Sequence, residues 1–376
     1  MQKVNVLFVI IQMALGGSEQ LILNIIRNLD RNRFSPSVAW FFGDTILEEF
    51  ADLNIPLFHV PKTKSFDFNT MQHLAAILTE NDVHVVNAHH FMSMVYLFYG
   101  SKVKKQAKLI YTEHSEWEVE AIPKKWQLLG AGLLRCVDKT VGVSPAISDC
   151  LQKKFFIPLS KVETINNGVD LNLFSNTQKN LVIKKELKIG SIDKVIGTVA
   201  NLKKVKNHRF LLNAFKKLAE EFDKVKLILV GQGFKDDPEN TEEEIKDFIE
   251  TNGLNNKVLI LGYRSDISQL LSVMDIFCLT SKMEGLPISL IEAMASGLPV
   301  VGSDAPGIKD VIEHGVNGFL IPQDDTAALK NALLNLVRND SLRVRMGNHS
   351  KLMANLYSME SCIKNYENLF SKLCAL

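Results

Sequence analysis

The chain lacks any long apolar run. Nothing in it approaches the roughly 18–20 apolar residues that span a bilayer, so no spanning helix is expected. Cysteine is scarce and scattered: the five are Cys136, Cys150, Cys278, Cys362 and Cys374. An odd number with no pair at metal-ligand spacing argues against a disulfide framework and a structural zinc site. Reduced thiols of a cytosolic protein fit best. There is also no excess of either charge. Lys and Arg number 43 and Asp and Glu 42, a formal net charge of +1, which gives no argument for a nucleic-acid partner. The three-glycine fingerprint of dinucleotide-binding turns is missing, and no repeat of solenoid period is visible. Met1-Gln2-Lys3 before the apolar Val4–Leu15 imitates a signal peptide. Asn5 and Gln12 interrupt that run, and Gly16-Gly17-Ser18-Glu19 follows at once, so a first strand feeding a turn explains it better.

What is present is alternation. With 376 residues, two domains are the natural expectation. Strand patterns at Val4–Ile10, Phe34–Phe42, Pro56–Val60, Val83–His90, Leu109–Ser115 and Lys139–Val143 alternate with helical ones, such as Gln20–Leu29 and Asn69–Glu80. The alternation resumes after residue 195, with strands at Val195–Ala200, Val225–Val230 and Val258–Leu261 and helices at Phe210–Phe222 and Glu242–Thr251. Such order means parallel sheets covered by helices. Ligands then bind beyond the carboxyl ends of the strands. That places His89, His90 and His114 at a candidate site, although a lone histidine is more often structural. They show no His-x-x-x-His or acidic partner at helical spacing, and so do not read as metal ligands.

The most informative stretch is Thr280–Val301, read as loop, helix and strand after the short apolar strand Asp275–Leu279. Gly285 permits a turn, Pro287 suits a first helical turn, and Gly297 ends the helix. Glu292 is surrounded by Leu290, Ile291, Ala293, Met294 and Ala295. A helix apolar nearly all round is buried, and a buried carboxylate needs partners; the alternative is a solvated helix face. Seven residues separate Glu284 from Glu292. The helical part covers about 10–12 Å at about 1.5 Å per residue, near the reach from sugar to ribose in a nucleotide sugar. Between the acids lie the amides of Leu286, Ile288 and Ser289, at a helix start suited to an anion.

This arrangement resembles the paired-glutamate motif of family 4, the retaining glycosyltransferases of the two-domain GT-B fold. The resemblance extends through Glu-Gly-Leu-Pro, Glu-Ala-Met-Ala-Ser-Gly and Pro-Val-Val. It implies two doubly wound, Rossmann-like α/β domains facing a cleft. Residues 1–170 would bind the acceptor and 171–355 the nucleotide sugar, with a C-terminal helix in 356–376 packing back on the first. It implies that Glu284 faces the donor sugar, with Gly285, Leu286, Pro287 and Ile288 around the phosphates, and that Glu292 holds ribose. Lys206 matches a diphosphate-binding lysine. The family's arginine five positions earlier is replaced by Asn201, and Lys203 is a substitute. Gly262, Tyr263 and Arg264 fall where relatives contact the base. Gly16 and Gly17 face donor phosphates, and Glu19 and His89 are acceptor-side candidates. His114, in a Thr-x-His pattern, resembles the histidine beside donor sugar and acceptor.

The implied activity is retaining transfer of a hexosyl group from a nucleotide sugar, UDP-linked, to a glycan or lipid-linked acceptor. No cofactor is implied, and without an Asp-x-Asp motif none of the sites is a metal site. A GT-B epimerase and a Rossmann oxidoreductase are the alternatives, and a non-catalytic nucleotide-sugar binder is a third. Lys102, Lys104, Lys105, Lys108, Lys124, Lys125 and Arg135, interleaved with Trp117, Trp126, Leu128 and Leu129, read as a solvated run or as an anionic membrane surface contact. The expected location is cytoplasmic, peripheral to the membrane's inner face, without nucleic-acid partners.

Overall fold

A computed structural model describes residues 3–14, 16–62, 67–103, 105–175, 180–235 and 237–374. Leu15 and Lys104 lie outside them, as do 176–179 of the lysine-rich stretch after the first half. The chain separates into two compact units, Met1–Gly168 with Met359–Leu376, and Val169–Ser358.

Unit 1 holds a seven-stranded parallel sheet. Its strands are β1 (Val4–Gln12), β2 (Phe34–Phe42), β3 (Leu57–His59), β4 (Val85–His89), β5 (Lys108–Glu113), β6 (Lys139–Gly142) and β7 (Val162–Thr164), in the order β3-β2-β1-β4-β5-β6-β7. Helices Phe68–Glu80, Phe91–Phe98 and Pro145–Phe155 cover one face. Helices Gly17–Asn28 and Met359–Leu373 cover the other. Both faces being buried explains why the strands read as continuous apolar runs. Strand order reverses between β1 and β4, the switch point where such sheets open a crevice.

Unit 2 repeats the plan with six parallel strands. They are β8 (Lys194–Val199), β9 (Val225–Val230), β10 (Val258–Ile260), β11 (Ile276–Leu279), β12 (Val300–Ser303) and β13 (Gly318–Ile321), in the order β10-β9-β8-β11-β12-β13. Its switch point falls between β8 and β11. Helices His208–Glu221, Glu242–Thr251 and Thr326–Arg338 pack on one face, and Ile267–Val273 and Ile288–Ala295 on the other.

Three details depart from the sequence reading. Ser18 and Glu19 lie inside helix Gly17–Asn28 rather than in a turn before it. Pro287 caps helix Ile288–Ala295 instead of occupying its first turn. The stretch after residue 170 is partly helical, at Leu171–Ser175 and Leu181–Glu186. Among the described residues no helix is long and apolar enough to cross a membrane.

Candidate functional site

In unit 2 the loops leaving β8 and β11 meet at the switch point. The Lys206 ammonium donates to both Glu284 oxygens at 2.7 and 2.8 Å, and the Ser281 hydroxyl donates to the same carboxylate. Such a bidentate, charge-assisted contact is among the stronger pairings available to a partly buried acid. Thr280 holds the β8 loop by donating to the carbonyls of Lys206 and Asn207. The Glu284 amide donates to the Pro306 carbonyl at 3.0 Å. Gly307 backs the same loop at φ +78°, where a Cβ would sit 2.5 Å from the Glu284 carbonyl oxygen. Glycine is therefore required there by conformation and by space. Ser281, Pro306 and Gly307 were not singled out as site residues in the sequence, because their part is to support a loop.

The Leu286 side chain is buried and anchors the turn that follows Gly285. The amides of Leu290 and Ile291 bond to the Pro287 carbonyl. Those of Ile288 and Ser289 precede the first intrahelical bond and stay available to an anion. One turn further on, Glu292 is partly buried among buried Leu290, Ile291, Ala293 and Met294. No described residue gives its carboxylate a hydrogen bond, and burial pushes its pKa up to about 8. A carboxylate in this setting is satisfied by an incoming hydroxyl donor.

The remaining donor-side candidates are differently placed. Lys203 pairs with Asp237 at 2.7 Å and lies over the Phe234 ring. Asn201 is exposed, and its carbonyl accepts the Lys203 amide at 2.9 Å. Gly262 turns at φ +64° and its carbonyl accepts from the Gly231 amide. Tyr263 beside it is exposed. The Arg264 guanidinium is held by Asp266 at 2.7 and 2.6 Å and by Glu186 at 3.0 Å. Lys206 is thus the described cation joined directly to the Glu284 loop, while Lys203 and Arg264 are engaged by other acids.

In unit 1 the ends of β4 and β5 and the start of helix Gly17–Asn28 gather titratable groups. Gly16 caps that helix, and a Cβ on it would lie 2.2 Å from a Glu19 oxygen. Nothing lies within 4 Å of a Cβ built on Gly17. The Ser18 hydroxyl donates to buried Glu19, whose pKa burial raises. His89 Nδ1 and His114 Nε2 are 2.7 Å apart. His90 stands at φ 69°, ψ 152°, a region that L residues avoid and that clusters at functional sites. Its Nδ1 meets Glu118 at 2.6 Å and Glu113 at 3.9 Å. Burial opposes charge on His90, but Glu118, Glu113 and Glu19 together raise its pKa to about 9. Burial also pushes Glu113 up, although the Tyr111 hydroxyl and the amides of His114 and Ser115 donate to it.

His90, Glu113 and Glu118 bring ligand-type atoms within 4.8 Å of one another. Contrary to the sequence reading, an acid does stand at helical spacing, since Glu118 follows His114 by four residues, but the fold pairs it through space with His90. These atoms are already engaged by each other and by the neighbouring donors, and we assign them no metal. Glu113 and Glu118 were not singled out, because spacing conceals both the strained backbone of His90 and its partner 28 residues away.

Comparison with known proteins gives a consistent setting. Residues 180–353 match the model for Glycosyl transferases group 1, and residues 15–173 match Glycosyltransferase Family 4. N-acetyl-alpha-D-glucosaminyl L-malate synthase of Bacillus anthracis is 24% identical over 85% of this chain and 83% of its own. The UDP-Gal:alpha-D-GlcNAc-diphosphoundecaprenol alpha-1,3-galactosyltransferase of Escherichia coli is 25% identical over 72% of this chain and 66% of its own. The crystal structure of Anabaena HepE in complex with UDP superposes with a TM-score of 0.88 at 22% identity, covering 98% of this chain and all (100%) of HepE. At that identity the superposition speaks to fold.

Proposed function

Because the chain belongs to the group 1, family 4 glycosyltransferases, we propose that it moves a hexosyl group from a UDP-sugar to a hydroxyl of a glycan or lipid-linked acceptor, with retention and without a metal. UDP is the nucleotide bound by HepE and the carrier named for the Escherichia coli relative, whose acceptor is lipid-linked. An epimerase or a dinucleotide oxidoreductase is not favoured by this membership.

The observation that carries the reading is the Lys206–Glu284 pair beside the start of the helix on which Glu292 waits without a partner. On donor binding Lys206 turns to the diphosphate, joined by the amides of Ile288 and Ser289. Glu284 then takes sugar hydroxyls and Glu292 the ribose diol. Gly262, Tyr263 and Arg264 border the base, with Asn201 and Lys203 in lesser donor contacts. Within unit 1, Gly16 and Gly17 are the candidates for phosphate and Glu19 and His114 those for the acceptor. The bond from the anomeric carbon to the phosphate oxygen breaks, and its electron pair leaves with UDP. The acceptor oxygen bonds to the same face of that carbon, and its proton passes to the departing phosphate. Lys206 and the helix start stabilise the charge developing there. The test is transfer from a panel of nucleotide sugars, with the product's anomeric configuration read by NMR. UDP-sugar consumption with retention is expected. Binding of no nucleotide sugar, or an inverted product, would overturn the proposal.

Membrane contact belongs to the same reading. Lys124 and Lys125 are exposed on helix Lys124–Cys136, four residues before exposed Leu128 and Leu129, and Trp117 is exposed nearby in sequence. A basic and apolar helix face suits an anionic interface. Lys102 and Lys108 instead lie beside Asp138. Flotation with anionic vesicles at low salt should carry the protein, and about 0.5 M salt should release it by screening. Equal absence from anionic and neutral vesicles would return the face to solvent.

A further inference from the structure

Ser281 lies on the loop after β11, between Thr280 and Lys282. Both neighbours are tied to other loops. The Thr280 hydroxyl donates to the carbonyls of Lys206 and Asn207, and the Lys282 amide donates to the Val205 carbonyl at 2.8 Å. The Gln323 side-chain amide donates to the carbonyls of Lys282 and Asp304 at 3.3 Å each. Ser281 itself is fully buried, and its hydroxyl meets Glu284 Oε1 at 2.5 Å. A carboxylate that accepts an ammonium on both oxygens has no proton to give, so the serine is the donor.

The two carboxylate oxygens are held unequally. Oε1 takes Ser281 and Lys206, whereas Oε2 takes Lys206 alone among the described residues. Lysine reaches on a flexible four-carbon stem and can turn to a diphosphate. The serine hydroxyl has a short arm on an anchored loop and cannot follow. Once Lys206 turns away, Oε1 is still held and Oε2 is released. We propose that Ser281 is a positioning residue that keeps one oxygen of Glu284 in place and so presents the other, Oε2, to a sugar hydroxyl of the donor. A support fixed in advance needs no reorganisation when the donor reacts. The proposal rests on the assignment of Glu284 to the donor sugar. It adds the device that keeps the carboxylate oriented after its cation has left.

The test is single-turnover transfer at saturating donor, using the UDP-sugar that the nucleotide-sugar panel selects, with folding checked by circular dichroism. Ser281→Ala should lower turnover about tenfold, the scale of one hydrogen bond to a charged group. Its UDP affinity in calorimetry should be unchanged, because the hydroxyl touches the sugar-facing acid and not the phosphates. In a Glu284→Ala background the same change should cost nothing more, since a contact that acts through Glu284 disappears with it. An equal loss in both backgrounds would overturn the proposal, and so would UDP binding weakened as much as turnover, because the whole loop would then have moved. Full turnover in Glu284→Ala would overturn the reading beneath the proposal. A loss there with none in Ser281→Ala would overturn the positioning role alone.

Discussion

The two switch points make opposite uses of charge. In unit 1, Glu113, Glu118 and His90 are satisfied by one another and by local amides, so the cluster is set before any ligand arrives. In unit 2, Lys206 and Glu284 are paired with each other, and Glu292 with nothing described. Satisfied networks rigidify, whereas on the proposed reading the unit 2 groups exchange partners when a donor binds. The proposal therefore pairs an organised acceptor-binding unit with a donor-binding unit that responds to nucleotide.

Removing the exchanging cation should have the largest effect. Lys206→Ala should reduce single-turnover transfer by about a hundredfold or more at saturating donor, since a contact to the leaving phosphate tightens as the bond breaks. Lys206→Arg should restore part, and Lys203→Ala should cost less because Asp237 already engages Lys203. Near-normal turnover in folded Lys206→Ala would place the phosphate elsewhere.

Unit 1 should show its organisation as stability. Glu118→Gln removes the main partner of His90, a charged hydrogen bond of about 1–3 kcal/mol. The His90 pKa is raised in the folded chain to about 9, from the ordinary 6.5. Its contribution is therefore complete below about pH 6.5 and is lost as pH rises through about 9. Urea denaturation should show the penalty at pH 6 and little of it at pH 9.5. A penalty equal at both values would deny the ion pair its role.

A smaller effect separates pairing from positioning in unit 2. Glu284→Gln frees Lys206, so UDP should bind roughly three- to tenfold tighter, about 1 kcal/mol for a partly exposed pair, while transfer slows. Weaker UDP binding in calorimetry would mean that Glu284 holds Lys206 in place instead of competing for it.

The legible parts of the sequence are those whose signals lie within one element. β2 and β9 were bounded by their apolar runs alone, and helix Glu242–Thr251 by its spacing. The helix Phe91–Phe98 passed unseen because it is apolar on every side and has no period. The unit 2 constellation stood out because Glu284, the helix start and Glu292 share one continuous stretch. Its pairing with Lys206 was hidden, since strand order, not spacing, brings the loops after β8 and β11 together. The same cause hid the His90–Glu118 pair and the His89–His114 contact. Lys203 and Arg264 read in sequence as free cations, and the fold gives each an acid, Asp237 for Lys203 and Asp266 with Glu186 for Arg264.

The central claim is that unit 2 takes the nucleotide and that Glu292 receives its ribose. Calorimetric titration of UDP at pH 7, in buffers of differing ionisation heat, tests it most directly with Glu292→Gln beside the wild type. Burial holds Glu292 largely protonated at that pH, with a pKa of about 8, and two ribose hydroxyl donors favour its carboxylate form. The wild type should release more protons on binding than the variant, and the variant should bind at least about tenfold more weakly, as loss of one charged hydrogen bond requires. Equal affinity and equal proton release in the two proteins would contradict the claim.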